Sequence, residues 1–359
     1  MEGDTVLVAA GTYSPSTNSE VFPIEMASGI HLIGSGEDVS IIDAQQTDRV
    51  ITMEDCDNNT ISDLTLTGGL ADSYGGGMRL SNSNPILTNV TISNNTANWG
   101  GGMYLNASNP ILTNVTISEN TATSKGGGIY CYIDNELSFA SNILISDNYS
   151  VGHGGGIFLS AGANIYLQHA TIAGNKVGEG DVFGAGIYSD GGSANLTNSI
   201  VYYNRREGDF SINYNLNGYT MEMLEEYNIT YSDIEGDENW IPDGEGNIDD
   251  NPQFTDPDNG DYTLMETSPC IDTGTIIEDM EYCGDAPDMG AYEYCEEECG
   301  AELADVTGDG QINVLDLVQI SYYVLELSTP AYPCAADYNQ DGQVNILDLV
   351  QISNYILNP

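Results

Sequence analysis

Through its first two hundred residues the chain reads as short runs in which apolar and polar positions alternate, such as Val90-Thr91-Ile92-Ser93. A period of two sends successive side chains to opposite faces, so these runs predict strands and not helices. Asn, Gly and Ser gather between the runs and supply turn chemistry and left-handed backbone positions.

The runs also repeat. Asn84-Pro85-Ile86-Leu87-Thr88-Asn89-Val90-Thr91-Ile92-Ser93 returns almost unchanged at Asn109 to Ser118, 25 residues on. A Gly triplet followed by an apolar residue starts at Gly75, Gly100, Gly126 and Gly154, and Gly184-Ala185-Gly186-Ile187 is a degraded fifth copy. A unit of about 25 residues cannot bury a core alone, but stacked units bury a continuous one. The expected fold is therefore mainly β, a parallel β-solenoid. Leu64, Val90, Val115 and Ile143 should line one interior row, and Asn95, Asn120, Asn148 and Asn175 should stack at a corner. Such regular apolar positions argue against a disordered low-complexity tract.

A second repeat lies near the C-terminus. Asp305-Val306-Thr307-Gly308-Asp309-Gly310-Gln311-Ile312-Asn313-Val314-Leu315-Asp316 aligns with Asp337-Tyr338-Asn339-Gln340-Asp341-Gly342-Gln343-Val344-Asn345-Ile346-Leu347-Asp348, 32 residues later. Oxygen-bearing side chains fall at loop positions 1, 3, 5, 9 and 12, and Gly falls at position 6. That spacing suits calcium, which takes six to eight oxygen ligands from a chain that turns tightly around it. The candidate ligands are Asp305, Thr307, Asp309, Gln311, Asn313 and Asp316, then Asp337, Asn339, Asp341, Gln343, Asn345 and Asp348; Gln311 and Gln343 would serve through their main-chain carbonyls. Each loop leads into an amphipathic helix, with Leu317, Val318, Ile320, Val324 and Leu325 matched by Leu349, Val350, Ile352, Ile356 and Leu357.

Charge narrows the partners. The chain carries 55 Asp and Glu against 6 Lys and Arg, a formal net charge of -49. Nucleic acid binding needs cations to neutralise phosphates, so DNA and RNA are excluded as partners. No run of about 18 apolar residues occurs, so no membrane insertion is expected. Of the seven cysteines, the five late ones (270, 283, 295, 299 and 334) could form disulfides in an oxidising compartment. Met1 leads straight into turn and strand sequence without a signal peptide, so an extracellular protein is expected here in trimmed form.

The coil pattern resembles the right-handed parallel β-helix of the pectin-lyase-like superfamily. Gly3-Asp4-Thr5-Val6-Leu7-Val8-Ala9-Ala10-Gly11-Thr12-Tyr13 is similar to its opening coil. Asp288-Met289-Gly290-Ala291-Tyr292-Glu293-Tyr294 is similar to the closing segment of a bacterial surface-associated group. The two loop-helix units, with Asp at position 12 and a duplicated Leu-Asp-Leu-Val-Gln-Ile-Ser, resemble a type I dockerin. These resemblances imply a β-helix over residues 1–294, a short acidic linker over 295–303 and a small α-helical module over 304–359 holding two Ca2+ ions. They further imply an extracellular or cell-surface location and a cohesin-type partner, read by Val314, Leu315, Ser321, Tyr322, Ile346, Leu347, Ser353 and Asn354. The Lys or Arg often found at those positions is missing, so the contact surface should be apolar.

Two functions remain open: a non-catalytic β-helix that binds glycan or surface partners, and a divergent polysaccharide lyase or glycoside hydrolase carried on a dockerin. Arg79, Lys125 and Lys176 sit near repeat corners, Gly152-His153-Gly154 runs into a Gly triplet, and His31 and His169 are isolated. Asp63, Asp147 and Asp190 could share one flank. No complete catalytic set assembles from these residues, and no catalytic residue is assigned.

Overall fold

The computed structural model describes residues 3–132, 136–160, 162–180, 182–208, 215–218, 227–236, 244–278, 280, 282–295, 303–325, 327–338 and 344–357. The chain divides into two compact units, Met1–Tyr294 and Cys295–Pro359. Most of the expected linker, residues 296–302, lies outside the described residues.

In the first unit, each coil of the repeat makes three strands. Ile86–Ser93 turns into Thr96–Trp99, and Met103–Asn106 then leads to the next coil. Each strand pairs in parallel with its copies one coil away: Val90 with Leu64 and Val115, Ala97 with Ala71 and Ala122, Met103 with Met78 and Ile129. Among the described residues, three parallel sheets of 13, 6 and 8 strands result. The expected interior row is present, running from Leu64 to Ile143 and on to Ala170, all buried. Burying a Leu, Ile or Val contributes about 2 kcal/mol, so these aliphatic rows supply the main driving force.

The corner amides form as expected and run further. Asn95 donates through Nδ2 to Asn120 Oδ1 (3.0 Å), Asn120 to Asn148 (3.0 Å) and Asn148 to Asn175 (2.9 Å), and the ladder continues through Asn204 to Asn215. Each amide also satisfies main-chain groups of its own and neighbouring coils; Asn148 Nδ2 reaches the Ile117 carbonyl at 2.8 Å. The Gly triplets turn the next corner. Gly100 is left-handed at φ 67°, and a Cβ on Gly101 would lie 2.5 Å from the carbonyl oxygens of Gly127 and Thr121. Only Gly fits both demands.

A second column stands on the outer face of the long strands. Asp63, Asn89, Asn114 and Asn142 are left-handed in successive coils, with φ of 59°, 53°, 53° and 55°. Asn89 donates to Asp63 (2.8 Å), Asn114 to Asn89 (3.1 Å) and Asn142 to Asn114 (3.1 Å). Over the later coils of this face folds the closing segment, residues 244–294. Its hairpin of Phe254–Asp256 and Asp261–Leu264 buries Phe254, Tyr262 and Leu264 against Leu144, Ala173 and Ile200.

Cys56, Cys131 and Cys270 are buried free thiols, whereas Cys283 and Cys295 each take part in a disulfide. Cys270 therefore departs from the disulfide expectation. It is enclosed in the closing segment's apolar cluster, and its thiol faces Asp233 Oδ2 at 3.3 Å.

The second unit packs α1 (Val314–Val324) and α2 (Ile346–Leu357) around Ala304, Val306, Ile320, Ala335, Ala336 and Ile352. The amphipathic expectation holds for Leu317, Ile320, Val324, Leu349, Ile352 and Ile356. It fails for Val318, Leu325, Val350 and Leu357, which are exposed. Each helix carries apolar residues around more of its circumference than so small a core can cover.

Truncating one interior amide should leave several buried polar groups unpaired at once. Asn148→Ala is expected to destabilise the β-helix by about 3 kcal/mol, and Asn114→Ala on the outer column by under about 1 kcal/mol. Denaturant midpoints of the two variants test the ranking.

Candidate functional site

The first C-terminal loop is fully described, and its geometry follows from two carboxylates. Asp305, at position 1, is nearly buried and gathers three main-chain donors: the N–H groups of Gly308 (2.9 Å), Asp309 (3.2 Å) and Gly310 (2.7 Å). Burial alone would raise its pKa, but these donors and the Thr307 hydroxyl together hold it below the ordinary carboxylate value. Gly310, at position 6, takes φ 78° and makes the tight turn.

Asp316, at position 12, is fully buried. One oxygen accepts the Asn313 N–H (2.9 Å), while the other accepts the Thr307 N–H (3.1 Å) and hydroxyl (2.9 Å). Asn313 in turn accepts from Leu315 N–H at 2.8 Å, so positions 9 and 12 form the capping box of α1. The Thr307 hydroxyl also reaches Asp305 at 3.2 Å. Positions 1, 3 and 12 thus bring their oxygens together, and the Gln311 carbonyl lies 3.1 Å from Asn313 Nδ2.

Among the described residues no three His, Cys, Asp or Glu side chains gather closely enough to hold a metal ion by themselves. The loop reaches a hard-cation donor set only by adding Thr307, Asn313 and a main-chain carbonyl, all of them oxygen donors suited to calcium. In the second loop Asn345 and Asp348 repeat the cap, with Asn345 N–H to Asp348 at 2.9 Å and Leu347 N–H to Asn345 at 2.8 Å. Asn339, Asp341 and Gln343 lie outside the described residues.

Of the sequence-derived partner residues, Val314, Leu315, Tyr322, Ile346, Leu347 and Asn354 are exposed. Ser321 and Ser353 are half-buried, and the Ser321 hydroxyl donates to the Val318 carbonyl. Val318 and Val350, which the amphipathic pattern had assigned to the core, are exposed as well.

On the β-helix, most side chains weighed for catalysis are held by structural contacts, whereas Lys176 is exposed at the start of its short strand. His153 Nδ1 accepts the Phe183 N–H (3.0 Å) and its ring stacks on Tyr188 at 4.4 Å. Burial, then the nearby Lys125 charge, lower its pKa. Lys125 lies 4.5 Å over the Phe158 ring, and Arg79 pairs with Glu54. The His153 and Lys125 contacts adjoin an outer aromatic spine of Tyr104, Tyr130, Phe158 and Tyr188. His31 Nδ1 accepts the Thr60 N–H at 3.2 Å. His169 is buried, pairs with Asn198 at 2.9 Å, and has its pKa lowered by burial to about 4.

The three carboxylates do not share a flank. Asp63 heads the outer amide column, Asp147 follows a long strand and accepts from the Tyr262 hydroxyl (2.9 Å), and Asp190 ends a strand of the 8-stranded sheet. Two carboxylates escaped sequence reasoning because their partners are distant along the chain. Glu235 pairs with Arg205. Asp233 is fully buried, with the Cys270 thiol at 3.3 Å and the Asp250 N–H at 3.2 Å; burial raises its pKa to about 8.

Comparison with known proteins agrees with these two architectures. Residues 28–201 match the model of the right handed beta helix region, and residues 303–357 match the dockerin type I domain. No curated protein matches the chain. Among solved structures, pectate lyase Pel9A aligns over 80% of this chain and 87% of its own, at 15% identity and a TM-score of 0.45. The fold and the loops define a right-handed parallel β-helix protein with a C-terminal module of two loop-helix units. That module is a type I dockerin domain.

The Asp233 carboxyl fixes a pH dependence. Its folded pKa is raised, so its contribution to stability is full below about pH 4 and is lost as pH rises toward about 8. Asp233→Asn should flatten the fall in melting temperature across that window, and an unchanged slope would assign it elsewhere.

Proposed function

We propose that this chain is a secreted, polysaccharide-associated protein. In this reading its dockerin domain fixes it to a cohesin-type module, and its β-helix binds glycan without cleaving it. The observation that carries the docking half is the convergence of Asp305, Thr307 and Asp316 oxygens beneath the capped start of α1. Dockerin type I domains bind calcium and dockerin domains bind cohesins. We assign two ions: one to Asp305, Thr307, Asp309, Asn313, Asp316 and the Gln311 carbonyl, the other to Asp337, Asn339, Asp341, Asn345, Asp348 and the Gln343 carbonyl.

Calcium supplies the positive charge that lets several carboxylates share one centre. The protein's part is to tie each loop to its helix: Asp316 and Asp348 cap the helices whose outer faces carry the docking residues. Val314, Leu315, Val318 and Tyr322 on α1, with Ile346, Leu347 and Val350 on α2, present an uncharged apolar surface. Its burial against a partner is the hydrophobic contribution expected of a docking interface.

For the β-helix, binding is favoured over catalysis by how its candidate groups are engaged. His153 stacks on Tyr188, Lys125 lies over Phe158 and Arg79 pairs with Glu54, which supports a structural and not a proton-transferring role for these three. No described helix is long and apolar enough to cross a membrane. The acidic, disulfide-bearing chain supports an extracellular setting.

Calcium added to chelator-treated protein should raise the helical circular dichroism signal and bind at two ions per chain. Combining Asp309→Ala with Asp341→Ala should abolish both. One ion per chain, or no change at about millimolar calcium, refutes the assignment. Incubation with polygalacturonate, alginate and xylan should show retention on at least one polymer without products. Reproducible release of unsaturated or reducing ends would refute the binding reading.

A further inference from the structure

The outer amide column of the β-helix stops at a definite place. Asp63, Asn89, Asn114 and Asn142 are bonded in series, but the next left-handed position is His169, which turns to Asn198 instead. Asn142 Oδ1 is left with one long contact, from the Ser141 hydroxyl at 3.4 Å. A cavity of about 420 Å³ opens at this break. Its floor is the outer face of the long strands, including Asn142, Leu144 and His169, and its rim includes Glu37 on one side and Tyr292 and Glu293 of the closing segment on the other.

The cavity is rich in acceptors and holds no Lys or Arg among its lining residues. Glu293 uses Oε1 to accept the Asp288 N–H (3.0 Å), while its Oε2 is buried without a partner. The Cys283 N–H acts on this carboxylate, yet no hydrogen bond of normal geometry reaches Oε2. Glu37 supplies a second carboxylate, which accepts from Thr91 at 3.0 Å and retains capacity for more. Tyr292, Leu144 and Met280 add an aromatic and apolar wall.

We propose that this cavity binds one neutral sugar residue of a polysaccharide. Hydroxyl groups supply the donors that Glu293, Glu37 and Asn142 call for, and the C–H face of a sugar ring suits Tyr292. A carboxylated sugar would bring a third negative charge into a site without a cation. The size fits the range of small-molecule sites. This inference rests on the glycan-binding reading and names its ligand class and place.

The test uses the full chain with calcium present, titrated calorimetrically with xylohexaose, cellohexaose and hexagalacturonate. At least one neutral oligosaccharide should bind and hexagalacturonate should not. Tyr292→Ala should weaken binding by about tenfold or more and Tyr292→Phe by under about threefold. Glu293→Gln keeps the Oε1 acceptor but removes the charge, and should weaken binding severalfold with the melting temperature little changed. Neutral binding that both Tyr292→Ala and Glu293→Gln leave intact overturns the site while the glycan-binding reading stands. Binding of hexagalacturonate alone overturns the ligand class. Failure of every oligosaccharide to bind overturns both. Should Tyr292→Ala unfold, diffraction from crystals soaked in xylobiose decides: density at Tyr292 upholds the proposal, and only water or a cation there overturns it.

Discussion

Parallel in-register stacking makes each residue of a coil the neighbour of its own copy above and below, and the rest of the β-helix depends on that constraint. A column of one residue type persists only if the residue is compatible with itself. Aliphatic side chains are, which is why Leu64, Val90, Val115 and Ile143 can fill one row. Primary amides are too, because each carries both a donor and an acceptor. Carboxylates are not: they only accept and they repel, so a column of them would be destabilising. A chain with 55 acidic residues must therefore keep its charge out of its columns or place it at their ends.

Both amide ladders end this way. The interior one donates toward the C-terminal coils, from Asn95 to Asn215, and Asn215 passes its last protons to the Glu235 carbonyl (2.8 Å) and carboxylate (3.2 Å). Arg205 balances that carboxylate. The outer ladder donates in the opposite sense, and its final acceptor is Asp63. Accept-only residues thus stand where nothing further must be donated. The hydrophobic rows supply most of the folding energy, but slipping one coil would break the amide bonds its rung makes above and below. That cost of about 1–3 kcal/mol for each buried group fixes the register.

The same constraint explains what the sequence disclosed. Spatial neighbours in a stacked coil recur at the sequence period, so the Leu64 row and the Asn95 to Asn175 ladder could be read directly. Its extension to Asn204 and Asn215 was hidden, because the last step spans 11 residues and breaks the period. The outer column lay in plain sight within Ile-Leu-Thr-Asn-Val-Thr-Ile-Ser, yet alternation alone does not reveal a left-handed residue in mid-strand. In the dockerin domain, position 12 stood out from loop spacing as a candidate ligand. Its part in the helix cap emerged from geometry, as did the exposure of Val318 and Leu325, since a helical period cannot say how much of a helix its neighbours will cover.

Functional capacity in such a molecule should arise where self-pairing fails, because a satisfied column has nothing left to offer a ligand. In the dockerin domain, α1 and α2 bury some apolar side chains and leave others exposed, and these exposed ones form the surface proposed for a partner. In the β-helix, the replacement of an amide by His169 ends the outer ladder and leaves Asn142 with a spare acceptor. Burial lowers the His169 pKa to about 4, so at neutral pH the imidazole brings no charge to the break. The closing segment then adds Tyr292 and Glu293 to the same opening. A regular solenoid is a poor place to build a site. Its irregularities, one substituted rung and one folded-back segment, put recognition chemistry on an otherwise self-satisfied surface.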